Sequence, residues 1–515
     1  MKILLIRPPE IHYGKTPGPS CGIPLGIAYI AAVLKKSGHE VKILDFLVCG
    51  EFCIEKTPDG GISYGAPRSS IIKKIEIERP DIVGISDAFY TQFENSVRMA
   101  ELVKGIDQKI YVAAGGAHPS VRPLDFFEKS ACVDAVIVGE GEYAFLELVN
   151  AISENKGLGA VRGLVYKKDN KIYKNPPREP IQNLDELPLP AYELLDMEEY
   201  FLKKYQLMSV RPVFIYPGSE RTINIITSRG CPYDCVFCSI HLTMGYRWRA
   251  HSPEYVLNHI KYLKEEFGVR HLHFEDDNLT LDANRLKRIV EGLLKLNASI
   301  TWDTPNGIRA DTLGEEIIDL CKRSGCIYMI IGIESGDQYV LDNIVGKRLS
   351  LQKVEAVSKI CGKIKLNLEA FFVIGFPGEK KENIKNTLRF AYKLQFKYGV
   401  YPILFVATPL PGTRLYEICA EKGYIQKDIS YKNTSWPVME TGMFETQDFD
   451  LDYIRRAFRR FMLTRACLTV LDFLKFFLFN FPIFVSRLEI LIKTKPFKLA
   501  LRNVVIYKFF MRKIS

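Results

Sequence analysis

The sequence predicts an α/β protein in which two long stretches alternate strand and helix patterns and a C-terminal stretch does not. Short apolar runs that end in glycine or acidic turns alternate with amphipathic segments over residues 1–150 and again over 216–420. Near residue 453 this pattern gives way to a basic, phenylalanine-rich tail. We therefore expect a first domain at 1–150, a linker at 151–215, a second domain at 216–420 and a mainly helical region at 421–515.

Composition sets limits on the kind of protein. The chain has 515 residues, 47% hydrophobic and 25% charged, which is ordinary for a globular protein with several cores. Twelve cysteines and no secretory pattern at Met1–Arg7 predict reduced thiols, metal use and a cytoplasmic location. Basic and acidic residues are interspersed in the body of the chain, with no stripe typical of nucleic-acid binding.

The first domain has the pattern of a doubly wound parallel sheet. Its predicted strands are Lys2–Ile6, Val41–Leu44, Asp81–Ile85, Ile110–Ala114 and Ala135–Val138, and its first helix is Pro24–Lys36. Three of these strands end in Ser86, in Gly115-Gly116 and in the turn Gly139-Glu140-Gly141-Glu142. Because open sheets bind ligands beyond the carboxyl ends of their strands, we expect a ligand at these turns.

The linker carries a hairpin signal and then prolines. Lys167–Lys171 predicts a turn between two short strands, Gly163–Tyr166 and Ile172–Tyr173. The segment at 183–190 contains two prolines that exclude a regular helix, which is typical of a connector.

The second domain contains six strand units, each followed by a polar or glycine-containing turn. Five of the strands are Ile223–Thr227, His271–Phe274, Tyr328–Ile333, Leu368–Ile374 and Ile403–Ala407, and a sixth begins at Thr301. Ser252 and Pro253 cap the predicted helix Glu254–Phe267. Six units are too few for a closed eight-stranded barrel.

Three cysteines follow the first strand of this domain on a loop, at Cys231, Cys235 and Cys238. Thiolates are the usual ligands of iron–sulfur clusters, and three of them on a four-iron cube leave one iron open for a substrate. Two alternatives remain at this point. One is a structural zinc ion with His241 as a fourth ligand, and the other is three unrelated core cysteines.

The sequence Cys231-x-x-x-Cys235-x-Phe237-Cys238 resembles the signature of the radical S-adenosylmethionine (SAM) enzymes. The resemblance implies a partial (β/α)6 barrel, a [4Fe–4S] cluster on these cysteines, and SAM on the open iron, where reduction yields a 5′-deoxyadenosyl radical. It also implies which residues lie near SAM. They are Phe237, Glu275, Asp276, Asp277, Arg309, Glu334, Ser335 and Gly375. For Arg309, pairing with Asp311 is an equal alternative to binding the SAM carboxylate.

The first domain resembles the Rossmann-like cobalamin (B12)-binding domain that precedes many radical SAM barrels. The resemblance rests on Pro24–Ala31 and on the glycine turns. The residues implied for cobalamin binding are Ser86, Gly115, Gly116, Gly139 and Gly141. The chain departs from the pattern after its first strand, where Arg7-Pro8-Pro9-Glu10 replaces the segment that supplies a cobalt-ligating histidine.

Together these resemblances predict a cobalamin-dependent radical SAM enzyme that methylates an unactivated carbon. The alternative enzyme is a radical ring-forming or carbon–carbon coupling enzyme with cobalamin accessory or absent. A non-catalytic metal-binding protein is a further alternative. The expected partners are a small-molecule substrate and an electron donor such as a ferredoxin or flavodoxin.

The tail predicts either a membrane-surface segment or a helical cap on the barrel. Residues 464–515 hold ten Lys and Arg against two Asp and Glu, which accounts for most of the net charge of +10. A run of eleven uncharged residues at 476–486 is rich in phenylalanine but too short to span a bilayer. Aromatic residues among basic ones fit peripheral contact with an anionic membrane, which would favour a lipid-like substrate.

Overall fold

Two separate parallel sheets organise the chain. The computed structural model describes residues 1–13, 19, 21–48, 50–87, 89–207, 221–296, 299–425 and 442–479, and it excludes the side chains of 203–207 and 470–479. One sheet has seven strands and belongs to the first third of the chain, whereas the other has six and belongs to the second domain. This architecture confirms the predicted α/β fold.

The seven-stranded sheet has the order β10-β9-β8-β7-β6-β1-β3. The five strands from β8 to β3 in this order are parallel to one another. The strands are β1 Lys2–Arg7, β3 Glu40–Asp45, β6 Ile82–Ser86, β7 Tyr111–Gly115, β8 Ala135–Ile137, β9 Leu164–Lys168 and β10 Lys171–Lys174. Ile3 and Leu5 pack into one hydrophobic core and Leu4 and Ile6 into another. Alternate side chains therefore bury both faces of the sheet, as in a doubly wound fold.

Helices cover both faces of this sheet. They are α1 Leu25–Lys36, α2 Arg68–Glu78, α3 Phe93–Ile106, α4 Ala117–Val121, α5 Leu124–Lys129 and α6 Gly141–Ser153. The hairpin expected in the linker lies at the edge of this sheet, because β9 pairs antiparallel with β8. Its turn residues Asp169 and Asn170 both have positive φ, which suits the twist of a two-residue hairpin.

A small antiparallel sheet was not predicted. It has the order β2-β5-β4 and consists of β2 Glu10–His12, β4 Cys53–Lys56 and β5 Ile62–Gly65. Strands of three or four residues carry too little alternation to be read from the sequence. Helix α7, Met197–Leu207, then leads to the second domain.

The second domain is a six-stranded, all-parallel sheet in chain order, β11-β14-β15-β16-β17-β18. The strands are β11 Thr222–Ile225, β14 His271–Phe274, β15 Thr301–Ile308, β16 Cys326–Glu334, β17 Asn367–Ile374 and β18 Tyr401–Val406. Between β11 and β14 a two-stranded ribbon pairs β12 Ser228–Arg229 with β13 Arg249–Ala250. The six parallel units in chain order confirm the predicted open (β/α)6 barrel.

The barrel helices follow the strands in regular alternation. They are α8 Ile240–Thr243, α9 Pro253–Phe267, α10 Ala283–Lys295, α11 Glu315–Arg323, α12 Leu351–Ile364, α13 Lys381–Tyr398 and α14 Arg414–Glu421. Ser252 caps α9 by accepting a hydrogen bond from the Tyr255 amide, as predicted.

The tail begins with a long helix, α15 Leu451–Phe479, that packs against α13 and β18. Ile454 lies beside Gly375 at the C-terminal end of β17, and Arg465 donates to the Pro402 carbonyl at the start of β18. The helix therefore runs from the C-terminal ends of the strands towards their N-terminal ends. The phenylalanine-rich segment at 480–486 lies outside the described residues.

The first domain sits over the C-terminal ends of the barrel strands. Asn224 of β11 accepts from the Ile23 amide at 2.8 Å and donates to its carbonyl at 3.2 Å. Helix α4 packs against α8, and Val121 lies against Gly412, in the loop after β18. These contacts bring the predicted ligand turns of the first domain towards the cysteine loop.

Candidate functional site

The cysteine loop, residues 230–248, is closed at its base by the β12–β13 ribbon. Gly230 opens the loop with a φ of +81°, and a Cβ there would lie 2.5 Å from the Arg247 carbonyl oxygen. Only glycine fits this position without moving the backbone. The sequence thus folds the three thiols onto a loop whose two ends are tied together.

The thiols of Cys231, Cys235 and Cys238 are all half-buried. A zinc ion bound by thiolates at about 2.3 Å would bring their sulfurs within ~4.6 Å of one another. Among the described residues, only His271, His273 and Asp303 form such a group, with ligand atoms within 4.8 Å. The three thiols do not form such a group in the described part of the chain.

Burial raises the pKa of the Cys235 thiol to about 12. The pKa of Cys238 is raised for the same reason. Without a metal the two thiols are therefore protonated at neutral pH, so loading the site releases protons. The ring of His241, the fourth ligand in the zinc alternative, stacks on Tyr246 with centroids 4.5 Å apart, and its Nδ1 has no hydrogen-bond partner among the described residues.

Two of the three acids after β14 support the cysteine loop. Asp276 is buried and accepts from the Thr227 amide at 3.1 Å, from its hydroxyl at 2.7 Å and from the Ser228 hydroxyl at 2.6 Å. Asp277 accepts from the Gly230 amide at 2.7 Å, and burial raises its pKa to about 6. Glu275 is half-buried and accepts from Asn224 at 3.2 Å.

Arg309 pairs with Asp311, which was one of the two predicted roles. Its Nε and Nη2 donate to the two carboxylate oxygens at 2.9 and 2.6 Å, and Nη1 donates to the Lys347 carbonyl at 3.1 Å. The guanidinium lies 3.7 Å from the centre of the Tyr233 ring. This cation–π contact holds the middle of the cysteine loop.

Glu334 ends β16 with a left-handed φ of +72°, an uncommon conformation for a non-glycine residue. Its carboxylate accepts from Lys347 at 2.7 Å, and both groups are buried beside Cys235. Ser335 is fully buried and bonds to the Thr387 hydroxyl at 2.8 Å. The structure thus brings Glu334 to the thiols but turns Ser335 away, towards α13.

The turn after β17 is shaped by Glu379, which the sequence analysis missed. Its Oε2 accepts from the amides of Gly375 and Phe376 at 2.6 and 3.1 Å. Glu379 is fully buried, which raises its pKa to about 8. The Phe376 ring packs on Phe237 of the cysteine loop with centroids 5.9 Å apart. An acid four residues after the strand-end glycine is the signal that could have found Glu379.

The predicted ligand turns of the first domain lie together along one sheet edge. Ser86 and Gly115 pair in register at the ends of β6 and β7. Gly116 has a φ of +131°, and a Cβ there would lie 2.1 Å from the Asp87 carbonyl oxygen. Nothing lies within 4 Å of a Cβ built on Gly139, whereas Gly141 begins α6 against Ile30.

Buried polar atoms with incomplete hydrogen bonding lie at this edge. Asp87 and Ser96 interact with each other, and His118 Nε2 lies 3.6 Å from an Asp125 carboxylate oxygen. Within the described part of the chain, no hydrogen bond of normal geometry reaches Asp87 Oδ1 and Oδ2, Ser96 Oγ or His118 Nε2. Burial raises the pKa of Asp87 to about 8 and lowers that of His118 to about 4. Such groups destabilise the fold unless a ligand satisfies them. They therefore fit an edge completed by a polar cofactor such as cobalamin.

The two acids of the turn at 139–142 bind the base of the cysteine loop. Glu140 accepts from Arg229 and Arg249, and Glu142 accepts from Arg229, with all four side chains buried. In the sequence the glycines of this turn, and not its acids, were the predicted ligand contacts. These contacts place the cofactor edge of the first domain against the loop that carries the thiols.

A second polar cluster lies at the opposite end of the barrel. Asp303 is fully buried and accepts from His271 at 2.9 Å and from His273 at 2.6 Å. Trp302, its neighbour on β15, bonds to Ser324 on the helix side, so Asp303 points into the barrel. The cluster lies near the N-terminal ends of β14 and β15, away from the thiols.

Comparisons with known proteins agree with this arrangement. A family profile described as B12 binding domain matches residues 17–149, and another described as Radical SAM superfamily matches residues 225–391. An uncharacterized methyltransferase from Pyrococcus horikoshii is 34% identical over 464 residues, which cover 90% of this chain and 93% of that protein. Cytidylyl-2-hydroxyethylphosphonate methyltransferase from Streptomyces wedmorensis is 30% identical over 459 residues, 83% of each chain.

Among solved structures, the fold is similar to that of the radical SAM methyltransferase TsrM from Kitasatospora setae, described with tryptophan and a SAM analogue bound. The TM-score is 0.63 at 18% identity, and the match covers 83% of this chain and 77% of TsrM. At that identity the likeness concerns the fold. Both domains of the present chain therefore have counterparts in one known architecture.

Proposed function

We propose a reaction from one premise, that the chain belongs to the cobalamin-dependent radical SAM methyltransferases. In this proposal it methylates an unactivated carbon of a small molecule held between the first domain and the barrel. The observation that carries the proposal is the contact between the turn at 139–142 and the base of the cysteine loop. It brings the edge with incompletely hydrogen-bonded polar atoms to the end of the barrel that carries the thiols.

The cofactors of this family are a [4Fe–4S] cluster, SAM and cobalamin, which together supply a deoxyadenosyl radical and a transferable methyl group. We assign the cluster to Cys231, Cys235 and Cys238, which lie half-buried on the cysteine loop, because thiolates are the usual ligands of such clusters. Asp276, Asp277 and the Arg309–Tyr233 contact fix the loop around those thiols. We assign Glu275, the half-buried acid directly after β14, to the SAM ammonium group, because a carboxylate forms strong charge-assisted hydrogen bonds with an ammonium group.

The first domain supplies the walls for cobalamin in this proposal. Gly115, Gly116 and Gly139 let its backbone approach a large ring closely, and Ser86 and Gly141 border the same edge. His118 is neutral at neutral pH, since burial lowers its pKa to about 4. Asp87, with a pKa raised to about 8, is protonated there and is able to donate a hydrogen bond.

The test uses methyl-labelled SAM with protein that carries cluster and cobalamin, a reductant, and a deproteinised small-molecule extract of the source cells. We expect label in a new product, together with 5′-deoxyadenosine and S-adenosylhomocysteine. Deoxyadenosine with an unlabelled new product would support the ring-forming or coupling alternative. Absence of both nucleoside products from fully loaded protein would contradict an enzymatic role.

We further propose that an acidic electron donor, a ferredoxin or flavodoxin, docks on the outer side of the cysteine loop. A depression of about 380 Å³ lies there, lined in part by Tyr233, Arg348 and Arg414. Both arginines are exposed. Exchanging them for glutamate should raise the KM for the donor protein at low salt and leave the rate with dithionite unchanged. A loss of equal size with both reductants would contradict this assignment.

Peripheral membrane contact is our proposal for the tail. Residues 470–515 hold nine Lys and Arg against two Asp and Glu, and each basic residue near an anionic surface adds ~1 kcal/mol. Every helix in the described part of the chain is too short or too polar to cross a bilayer. Because α15 runs towards the N-terminal strand ends, such contact would hold the barrel by the end opposite the thiols.

The sequence also suggested a lipid-like substrate. This more specific hypothesis depends on the tail contact and remains a proposal. Flotation with phosphatidylserine vesicles would compare the full chain with one that ends after Thr469, where contacts with Gln395 end. We expect only the full chain to float at low salt. If neither floats, the membrane proposal and the support it gives to a lipid substrate both fail, whereas methyl transfer to another small molecule stands.

A further inference from the structure

The two domains are joined by a buried charge network that consists of Glu140, Glu142, Arg229 and Arg249. Glu140 lies directly before α6 and Glu142 in its first turn, so both belong to the cofactor edge of the first domain. Arg229 ends β12 and Arg249 begins β13, so both belong to the ribbon that closes the cysteine loop. Each of the four residues is 7% exposed or less.

The hydrogen bonds of the network cross between domains. Arg229 donates through Nη1 to Glu140 at 2.8 Å and through Nη2 to Glu142 at 2.6 Å. Arg249 Nη1 lies 2.9 Å from both oxygens of Glu140. Two positive and two negative side chains balance, and Arg229 also lies 5.4 Å from the centre of the Tyr29 ring on α1.

Glu140 joins three segments of the chain through one carboxylate. Besides the two arginines, its Oε2 accepts from the Ile181 amide of the linker at 2.6 Å. Arg249 donates to the Ile181 carbonyl at 2.7 Å and to the Met244 carbonyl inside the cysteine loop at 2.9 Å. Burial disfavours the charged carboxylate, but the Arg229 and Arg249 guanidinium groups hold the pKa of Glu140 below its usual value.

The network ties one carboxylate of the first domain to both ends of the cysteine loop. Arg229 and Arg249 face each other in the antiparallel ribbon, so they fix both ends of the 230–248 loop to the same carboxylate. A shift of the first domain would therefore move the loop with it or leave charges buried and unpaired, which is costly.

We propose that Glu140, Glu142, Arg229 and Arg249 are positioning residues that set the distance between the cofactor edge of the first domain and the cysteine loop. This proposal rests on the proposed function, in which both sites serve one reaction. Since positioning errors of about 1 Å cost on the order of 100-fold in rate, neutralising one acid should affect the step that needs both domains. The step that needs only the barrel should change little.

The test compares Glu142→Gln and Glu140→Gln with the unaltered protein, all loaded with cluster and cobalamin. Glu254→Gln is the matched control, because Glu254 pairs with Arg288 on the exposed surface of the barrel. Two measurements need no substrate other than SAM. Deoxyadenosine formation reports the barrel alone, and S-adenosylhomocysteine formed with reduced cobalamin reports the two domains together.

We expect both network variants to keep about four irons per chain and deoxyadenosine formation within roughly twofold, and to lose at least tenfold in S-adenosylhomocysteine formation. The magnetic interaction between cob(II)alamin and the reduced cluster should change in the same variants, as a readout independent of turnover. The control should change none of these.

Equal losses in both nucleoside products, with an unchanged magnetic interaction, would show a merely structural role and overturn the proposal. Unchanged values throughout would also overturn it. If the unaltered protein shows the magnetic interaction but never labels a product, the proposed function fails and the positioning role can still be judged from the spectra.

Discussion

The cysteine loop and the cofactor edge of the first domain face each other, but the protein satisfies their polar groups to different extents. Around the loop, Asp276 and Asp277 accept four hydrogen bonds from the residues that precede the thiols, and Arg309 stacks on Tyr233. At the edge, within the residues described, the carboxylate of Asp87 and the hydroxyl of Ser96 have no hydrogen bond of normal geometry.

The hydrogen bonds beneath the loop indicate that its backbone is preformed, although Asp276 Oδ2 and His241 Nδ1 are also buried without a partner in the described part of the chain. The buried carboxyl group of Asp87 is left to a proton or to a ligand. A buried polar group without a partner costs about 1–3 kcal/mol, whereas a paired one contributes to stability. A ligand that binds only the folded state adds RT ln(1 + [L]/Kd) to stability.

The largest loss of activity should follow from the replacement of one of the three cysteines. Cys235→Ser should abolish deoxyadenosine formation, because one iron loses its ligand, and should lower the iron content after anaerobic reconstitution. The melting temperature of cluster-free protein should stay within a few degrees of the unaltered chain, because its contacts do not depend on the cluster. Iron analysis, product analysis and calorimetry measure this, and unfolding of the variant would contradict a preformed loop.

The next largest effect should be a loss of stability when Asp276, which accepts hydrogen bonds beneath the cysteine loop, is replaced. Asp276→Ala leaves three donors of Thr227 and Ser228 without an acceptor, so the free energy of unfolding should fall by roughly 3 kcal/mol. Urea titration measures the loss. Asp234→Asn is the control, because Asp234 is exposed and its only hydrogen bond in the described part is a 3.3 Å contact from Tyr246. A loss below ~1 kcal/mol would indicate that the loop does not depend on Asp276.

The edge should show its incomplete hydrogen bonding as a pH effect. The folded pKa of Asp87 is raised to about 8 by burial, so the folded state holds a proton that the unfolded state releases near its ordinary pKa of 3.8. Stability should therefore fall between pH 4 and 8, and less so in Asp87→Asn. Urea titrations at pH 5 and 8 measure the difference, which bound cobalamin should reduce. Equal pH slopes in the two proteins would contradict this account.

The smallest effect is expected at Glu379. Glu379→Gln keeps an oxygen that can accept from the amides of Gly375 and Phe376, so SAM affinity should weaken by no more than about threefold, or ~0.65 kcal/mol. Glu379→Ala removes the acceptor and should weaken it by tenfold or more. Calorimetric titration with SAM distinguishes the two, and equal affinities would show that the turn keeps its shape without Glu379.

Much of the fold follows from local pattern. The strands of both sheets are apolar runs with clear ends, and the cysteine loop is marked by Gly230 and by its cysteine spacing. The spacing could not show that Asp276 and Asp277 turn back into the loop, because an acid after a strand has the same sequence signal whether it faces the cleft or the backbone. The short sheet of β2, β4 and β5 gave no periodic signal either.

The contacts between the domains could not be predicted from the sequence for a more basic reason. Glu140 and Arg229 are 89 residues apart, and nothing local to either marks the other as its partner. Each looks like an ordinary surface charge in the sequence, since charged residues are buried only when paired. Only the placement of one sheet over the end of the other shows that they meet.

The buried network also limits how the two domains can be recombined. A chimera that takes its first domain from a relative must keep an acid pair matched to Arg229 and Arg249, or it buries two guanidinium groups without counter-ions. The linker is therefore not a point at which one domain can be exchanged without changing the other. The two halves are expected to be inherited, and engineered, as one unit.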